Sequence, residues 1–265
     1  MTSVRDELKG SALYRRLRHL AGKAVADFGM IQDGDRVAVG LSGGKDSYCL
    51  LMLLGELQRR APVRFELTAL TVDAGYTGFN STAISKFCAE NGFNHQILTT
   101  THYDIIHEKL RPGSSFCALC ARLKRGTLYS AVRKMGYNKL ALGHHLDDFI
   151  ETLLLNQFFV GSLKAMSACM RADCGDITVI RPLVYVAEKD TIRLAAEAGL
   201  PVVSCSCPVS GSPDLQRQRM KELLVSLEAE IPHIKNSMLH ALSNVHPRHL
   251  LDSGLRRDTI VPGNG

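Results

Sequence analysis

The hexapeptide SGGKDS, from Ser42 to Ser47, constrains the fold of this chain more than any other feature. It follows the apolar run Val37 to Val39 and precedes a segment typical of a helix. A strand, a glycine turn and a helix start in this order form an anion pocket, because the unpaired N–H groups of the first helical turn point at the ligand. Gly43 and Gly44 allow the backbone to approach phosphate oxygens and to adopt a positive φ. The pattern predicts that the chain binds a nucleotide by its phosphates.

The side chains of this loop indicate how the phosphates and a metal ion would be held. Lys45 supplies a cation, and Ser42 and Ser47 supply hydroxyl donors. A Walker A loop would have glycine in place of Val39 and a hydroxyl residue in place of Asp46. A carboxylate beside the phosphate-binding lysine instead suggests a ligand for Mg²⁺. The structural alternative is a glycine turn with a solvated lysine.

Further stretches at separated places along the chain form a second pattern. They are FCALCARLKRG (Phe116 to Gly126), LALGHHLDDFIET (Leu140 to Thr152), IRPL (Ile180 to Leu183), EKD (Glu188 to Asp190) and LQRQ (Leu215 to Gln218). With the SGGKDS loop, they make the chain resemble the PP-loop ATP pyrophosphatase superfamily, and within it the tRNA 2-thiocytidine synthetases of the TtcA type. The resemblance runs from about Arg15 to about Asp252. It implies an adenine nucleotide alpha hydrolase-like fold and an enzyme that cleaves ATP between its α and β phosphates.

The order of apolar and helix-like segments predicts an α/β fold with a doubly wound parallel sheet. The predicted strands are 36–39, 66–72, 96–98 and 139–142. Ligands of such sheets bind at the carboxyl ends of the strands. Asp73 closes the second strand, where an adenine or ribose would lie, and Gly143 and His144 follow the fourth. We predict these three as nucleotide-binding residues.

The segment His144 to Asp148, which reads HHLDD, has two interpretations. Asp147 and Asp148 are suited to cap the helix that follows, because carboxylates are favourable at a helix N-terminus. Imidazoles and carboxylates at the phosphate side of a sheet are equally suited to Mg²⁺ binding and acid–base chemistry. We favour the second interpretation and predict Lys45, Asp46, Asp147 and Asp148 as catalytic residues.

Two cysteine pairs are candidate metal ligands. The chain has eight cysteines and no sequence typical of an export signal, which favours reduced thiols over a disulfide framework. Cys117 and Cys120 form a C-x-x-C pair just before a predicted helix, and Cys205 and Cys207 follow the apolar residues 201–203. The cysteines predicted to be core residues are Cys49 and Cys88.

Three kinds of site compete for the four thiols of these pairs. Zinc would favour two C-x-x-C pairs, a redox pair would favour a thioredoxin-like context, and an iron–sulfur cluster on three cysteines would leave one iron open. The resembled family holds a [4Fe-4S] cluster, which implies Cys117, Cys120 and one later cysteine as ligands. We favour Cys205 because it directly ends a predicted strand at 201–203. Cys207 stays open as the alternative.

Composition limits the class of protein and its partners. A chain of 265 residues with 45% hydrophobic content can bury a large core. It has no apolar run of about 18 residues, so we predict no membrane segment and a cytoplasmic location. The net charge of +6 favours a polyanionic partner. Basic residues cluster in two places, and we expect both to face tRNA: Arg15, Arg16, Arg18 and Lys23, and then Arg122, Lys124 and Arg125.

The expected organisation is an N-terminal helical segment at 1–35, an ATP-binding α/β domain with the C-x-x-C site at 36–204, and a C-terminal helical segment and tail at 205–265. Replacing a ring oxygen of cytosine by sulfur requires activation, because that oxygen is a poor leaving group. The resemblance implies adenylation of cytidine 32 in tRNA, pyrophosphate release, and a cysteine desulfurase as sulfur source. Another PP-loop tRNA-modifying enzyme and a non-enzymatic ATP and iron–sulfur sensor remain alternatives. A homodimer is one oligomeric state that the sequence allows.

Overall fold

The computed structural model of the chain describes residues 4, 8–109, 116–173, 175–203 and 215–256. They form two compact units. The first is made of the described residues within Met1–Phe149 and Met166–Asp214, and the second of those within Ile150–Ala165 and Leu215–Gly265. The division at residues 35 and 204 stays a prediction.

A six-stranded sheet forms the centre of the first unit. Its strands are β1 (Arg36–Gly40), β2 (Glu66–Asp73), β3 (His95–Thr99), β4 (Lys139–Ala141), β5 (Cys169–Arg171) and β6 (Thr178–Ile180). The spatial order is β3-β2-β1-β4-β6-β5, and all neighbours are parallel except β5 and β6. The chain moves outward from β1 to β3 and then returns to place β4 on the other side of β1. This reversal creates a crevice between β1 and β4, and the predicted doubly wound fold is confirmed.

Helices surround this sheet. They are α1 (Ala12–Asp27), α2 (Lys45–Arg60), α3 (Ser81–Glu90), α4 (His102–Lys109), α5 (Phe116–Lys134), α6 (Leu146–Leu155) and α7 (Glu188–Glu197). The central strand β1 is buried at Val37, Ala38 and Val39, as expected for a parallel strand covered on both faces. Cys49 and Cys88 are fully buried in α2 and α3, which confirms them as core residues.

Helix α1 belongs to this core. The Ser11 side chain caps it by accepting a 3.1 Å hydrogen bond from the Tyr14 amide. Tyr14, Leu17, Ala21 and Ala24 are buried at helical spacing, so one face of α1 is apolar. The Tyr14 hydroxyl donates to the Met52 carbonyl of α2 at 3.2 Å. The N-terminal helix is therefore packed onto the helix that follows the phosphate loop.

Several expected local elements differ from those observed. Cys117 and Cys120 lie within the first turns of α5 and not before it, because the helix already begins at Phe116. Residues 201–203 form no strand, and the Val203 amide donates instead to the Gly43 carbonyl at 2.9 Å. The antiparallel edge strand β5 was not predicted, and the helix expected to reach Phe159 changes to a π-helical turn at Asn156–Val160.

The second unit is helical. It contains α8 (Leu215–Glu230), α9 (Ile234–Ser243) and α10 (Ser253–Arg256), with the end of α6. Its hydrophobic core contains the buried residues Ile150, Leu154, Met220 and Leu224, which pack together. Across the described part of the chain, we find no helix with the length and apolar character needed to span a membrane.

Replacing Leu17 by alanine should lower the free energy of unfolding by about 2–4 kcal/mol, because a fully buried side chain leaves a cavity. Urea denaturation measures this loss. The exposed His19 of the same helix is the matched control, and His19→Ala should change stability by less than about 0.5 kcal/mol. Equal small effects of both substitutions would contradict the packing of α1 into the core.

Candidate nucleotide-binding site

Ser42 and Ser47, at the two ends of the SGGKDS segment, hold the loop in one conformation through hydrogen bonds. The Ser47 hydroxyl donates to the Gly44 carbonyl at 2.8 Å and accepts from the Ser42 amide at 3.2 Å. The Ser42 hydroxyl accepts from the Gly44 amide at 3.2 Å. Gly43 adopts φ of +85°, a conformation that favours glycine. The serines thus hold the loop in shape, and the helix start of α2 faces the crevice end of β1.

Gly143 brings the loop after β4 against the same helix start. A Cβ atom on Gly143 would lie 3.0 Å from the carbonyl carbon of Asp46 and 3.1 Å from the amide nitrogen of Ser47. These are backbone atoms and cannot turn away as a side chain would. The predicted residue Gly143 therefore has a clear structural role: it allows the two loops of the crevice to touch.

Lys45 is held between two carboxylates. Its Nζ atom lies 3.0 Å from Asp46 Oδ2 and 3.2 Å from Glu188 Oε1. The other oxygen of Asp46 accepts from the Thr191 hydroxyl at 2.6 Å. Burial lowers the pKa of Lys45, but hydrogen bonds and charge from Asp46 and Glu188 outweigh it, so the pKa is raised overall. The lysine is a permanent cation at neutral pH.

Asp147 and Asp148 both cap helices. Asp148 Oδ2 accepts from the backbone amide of His145 at 3.0 Å, the reciprocal contact of a capping box at the start of α6. Asp147 Oδ2 accepts from the Glu188 amide at 2.7 Å and so satisfies the first N–H group of α7. Asp148 therefore caps the helix that follows, as the capping interpretation expects, whereas Asp147 caps the more distant helix α7.

Asp147 and Asp148, together with Asp46, also lie around the imidazole of His145. The His145 ring nitrogens are 3.9 Å from Asp46, 3.8 Å from Asp147 and 3.4 Å from Asp148. Carboxylates from two helix starts thus converge beside the phosphate loop, which suits a divalent cation chemically. Within the residues that the structure describes, no three His, Cys, Asp or Glu side chains are already arranged around a metal position.

A cleft of about 450 Å³ opens at this point of the sheet. The predicted residues in its lining are Ser42, Gly44, Asp46, Ser47, Gly143, His144 and Asp148. Its apolar wall comes from Leu41, Leu70, Val72, Phe79, Leu128 and Leu142. A polar phosphate end and an apolar wall together match a nucleotide in size and chemistry.

Some predicted residues lie outside the lining, and some lining residues were not predicted. Gly43, Lys45, Asp73 and Asp147 are not part of the lining. Asp73 ends β2 and accepts from the Gly75 amide at 3.0 Å. Among the lining residues, Lys124 and Glu188 were not predicted as ligands, whereas His145 belongs to the HHLDD segment for which the functional interpretation was favoured. Each lies in a stretch that carried the family resemblance, which is the signal that points to them.

Cys117 and Cys120 differ in their surroundings. Cys117 is exposed, whereas Cys120 is buried beside Tyr76, with the Tyr76 hydroxyl 3.2 Å from Cys120 Sγ. Burial raises the pKa of the core thiols Cys49 and Cys88 to about 12, so both stay neutral at physiological pH. The proposed ligand Cys205 and its alternative Cys207 lie outside the described residues.

The chain is similar in sequence to known proteins over nearly its whole length. Residues 12–221 match the PP-loop domain. A tRNA-cytidine(32) 2-sulfurtransferase of Pelobacter propionicus is 63% identical over 97% of this chain and 95% of its own length. A protein of the same name from Geobacter sulfurreducens is 62% identical over 94% of this chain and 97% of its own length.

A solved structure extends the comparison to the fold. The U34-tRNA thiolase NcsA from Methanococcus maripaludis, solved with its [4Fe-4S] cluster, aligns with a TM-score of 0.70 at 23% identity. The alignment covers 96% of this chain and 81% of that chain.

A phosphate-binding loop at the switch point of a parallel sheet defines a nucleotide-binding protein of the PP-loop class. The chain belongs to the PP-loop domain family and, within it, to the family of the tRNA-cytidine(32) 2-sulfurtransferases. The family resemblance predicted from the sequence is confirmed.

Gly143→Ala should destabilise the protein by about 1–3 kcal/mol, because the added methyl group presses on the backbone of Asp46 and Ser47. Thermal or urea unfolding measures the loss. Gly126→Ala in α5 is the matched control, since a Cβ atom there meets nothing within 4 Å. This control should be neutral or stabilising by up to about 1 kcal/mol. Tolerance of both changes would contradict the close approach of the two loops.

Proposed function

We propose that this chain uses ATP to activate the C2 carbonyl of cytidine 32 in tRNA and replaces the oxygen by sulfur. The observation that carries the proposal is the 63% identity to a tRNA-cytidine(32) 2-sulfurtransferase over 97% of the chain and 95% of that protein. The cleft beside the SGGKDS loop supports the ATP half of the reaction. Each half of the chemistry then requires its own set of residues.

The ATP half turns a poor leaving group into a good one. Attack of the cytosine C2 oxygen on the α-phosphate forms a bond from that oxygen to AMP and releases pyrophosphate. Expelling AMP is then much easier than expelling oxide. Fixed donors around the phosphates stabilise the charge that develops on the departing pyrophosphate. We assign the backbone of Gly43 and Gly44 and the side chains of Ser42, Lys45 and Ser47 to that task.

Carboxylates beside the loop supply ligands for Mg²⁺. Asp46 is the central candidate because both its oxygens face polar partners, Lys45 and Thr191. Asp147 and Asp148 are the other catalytic candidates, since both carboxylates lie near the same imidazole of His145. Bound Mg²⁺ supplies charge neutralisation for the phosphates. Asp73, Gly143 and His144 remain our candidates for contacts to the rest of the nucleotide.

The sulfur half requires the cysteines. Cys117 and Cys120 are three residues apart in α5, so their thiols share one face of the helix. Thiolates are the ligands that iron–sulfur clusters require, so this pair fits a [4Fe-4S] cluster chemically. Such a cluster, when bound by three cysteines, supplies an iron with an open position for sulfide. We propose Cys205 as third ligand, although the strand that favoured it over Cys207 is absent at 201–203.

The macromolecular partners follow from the reaction. The target base must leave its stack, which is easiest in a single-stranded loop such as the anticodon loop. Arg122 and Arg125 are exposed on α5 beside the C-x-x-C pair, and Lys124 lines the cleft, which supports a tRNA-binding role for this helix. We also propose a cysteine desulfurase as sulfur source and a cytoplasmic location, where tRNA is modified. The homodimer stays a prediction.

Lys45→Ala should slow tRNA-dependent pyrophosphate release by a factor of about 30 to 1,000, the usual cost of losing a charged contact to phosphate in a preorganised site. A coupled pyrophosphate assay measures the rate. Lys86→Ala is the control, because Lys86 is exposed on α3 and its pair with Glu90 at 3.9 Å involves no residue of the loop. Near-normal turnover of Lys45→Ala would exclude the loop as the ATP site, and pyrophosphate release without tRNA would favour another activity of the family.

Cys117→Ala and Cys120→Ala should each lose both iron and 2-thiocytidine formation. Protein purified without oxygen would be analysed for iron and sulfide, and tRNA nucleosides by mass spectrometry. Cys88→Ala is the control, because Cys88 is a buried core thiol, and it should retain both. Stoichiometric zinc without iron would overturn the cluster, and iron binding without thiolation of any tRNA would favour a sensor.

A further inference from the structure

Arg181 lies beside the nucleotide cleft and is held by the edge of the sheet. It directly follows β6, and its backbone amide donates to the Ala168 carbonyl at 2.9 Å. Its Nη1 atom donates to the Ser167 carbonyl at 2.6 Å. The backbone bond anchors the residue to the sheet, and the Ser167 carbonyl holds one end of the guanidinium group. A further contact is made to a residue of the cleft lining: Arg181 Nε donates to His144 Nδ1 at 3.0 Å.

This hydrogen bond has only one possible direction. A guanidinium group carries N–H donors and no acceptor, so His144 Nδ1 must contribute its lone pair. A neutral imidazole with its lone pair on Nδ1 carries its proton on Nε2. Protonating Nδ1 would place one N–H group against another and one cation beside another. Arg181 thus favours a single form of the His144 ring.

The other charges near this pair do not reverse that preference. Burial lowers the pKa of Arg181, an effect that Arg125 adds to and that Tyr129 and Asp148 oppose, yet the guanidinium stays charged. The further titratable groups that line the cleft are Lys124, His145, Asp46 and Glu188. Whatever their charge, the guanidinium occupies His144 Nδ1, so a proton cannot enter there without breaking that hydrogen bond.

We propose that Arg181 is a positioning residue that locks His144 as the neutral tautomer with its proton on Nε2, so that this ring offers bound nucleotide a hydrogen-bond donor and not a base. His144 lines the cleft with Ser42, Gly44 and Ser47. A lone pair facing phosphate oxygens would repel them, whereas an N–H group attracts them. The nucleotide part of this inference rests on the proposed function, and the tautomer part does not.

The tautomer is measured directly in the free protein by ¹⁵N NMR of the histidine side chains, with the His144 signals assigned from His144→Gln. We expect a pyridine-like Nδ1 and a pyrrole-like Nε2 in the wild type at pH 7. In Arg181→Met the ring should exchange between its two neutral tautomers, so that each nitrogen signal shifts toward the average of the two forms. A protonated ring, or a proton on Nδ1, in the wild type at pH 7 would overturn the proposal. The wild-type spectrum decides this even where Arg181→Met fails to fold.

The donor role is tested by ATP binding, measured by titration calorimetry of the full chain with Mg-ATP. Glutamine can place an amide N–H near the position of Nε2–H, whereas leucine cannot. His144→Leu should bind ATP about 10 to 100 times more weakly than His144→Gln, the usual range for a hydrogen bond to a charged group. Equal affinity of the two variants would overturn the donor role, and absence of ATP binding by the wild type would overturn the proposed function while leaving the tautomer result intact.

Discussion

The close approach of two backbones at the switch point of the sheet is the constraint on which the site depends. Gly143, after β4, touches the first turn of α2 with no room for a methyl group. Because of this contact, the loop after β1 and the loop after β4 form one wall of the cleft. Gly43 faces a similar restriction, since a Cβ atom there would lie 3.1 Å from Ile84 and from Val203. Glycine at these positions sets the width of the nucleotide site as well as the conformation of its turns.

A charge network then joins the helix starts that this contact brings together. Lys45 of α2 pairs with Glu188 of α7, and Asp147 of α6 caps α7 through the Glu188 amide. The Lys45, Asp46 and Glu188 side chains are each only 20–25% exposed. Water still reaches these side chains, so an incoming phosphate can take the place of the carboxylates around Lys45. Mg²⁺ entering with the nucleotide would compensate the released carboxylates, which explains why acidic side chains surround an anion site.

The sequence was informative where the signal is local. The SGGKDS loop needs only a strand before it and a helix after it, and the alternation of strands and helices fixes the parallel sheet. Glu188 and Thr191 were missed as partners because they lie more than 140 residues from the loop, and only the folded sheet places them beside it. The three-residue strand β5 is too short for a periodic pattern. Residues 201–203 are as apolar as a strand, yet their backbone bonds to the Gly43 loop instead of to the sheet.

The two interpretations of Asp147 and Asp148 do not exclude each other. A capping carboxylate is fixed in place by backbone N–H groups, and only one of its oxygens is needed for the cap. Catalytic carboxylates benefit from the same fixation, because a ligand that is already oriented loses less entropy when it binds a cation. Asp147 caps a helix distant in the chain, so its position depends on the complete fold and not on local sequence. A segment that orders two helix starts is therefore also a segment that can hold charged groups rigidly beside the phosphates.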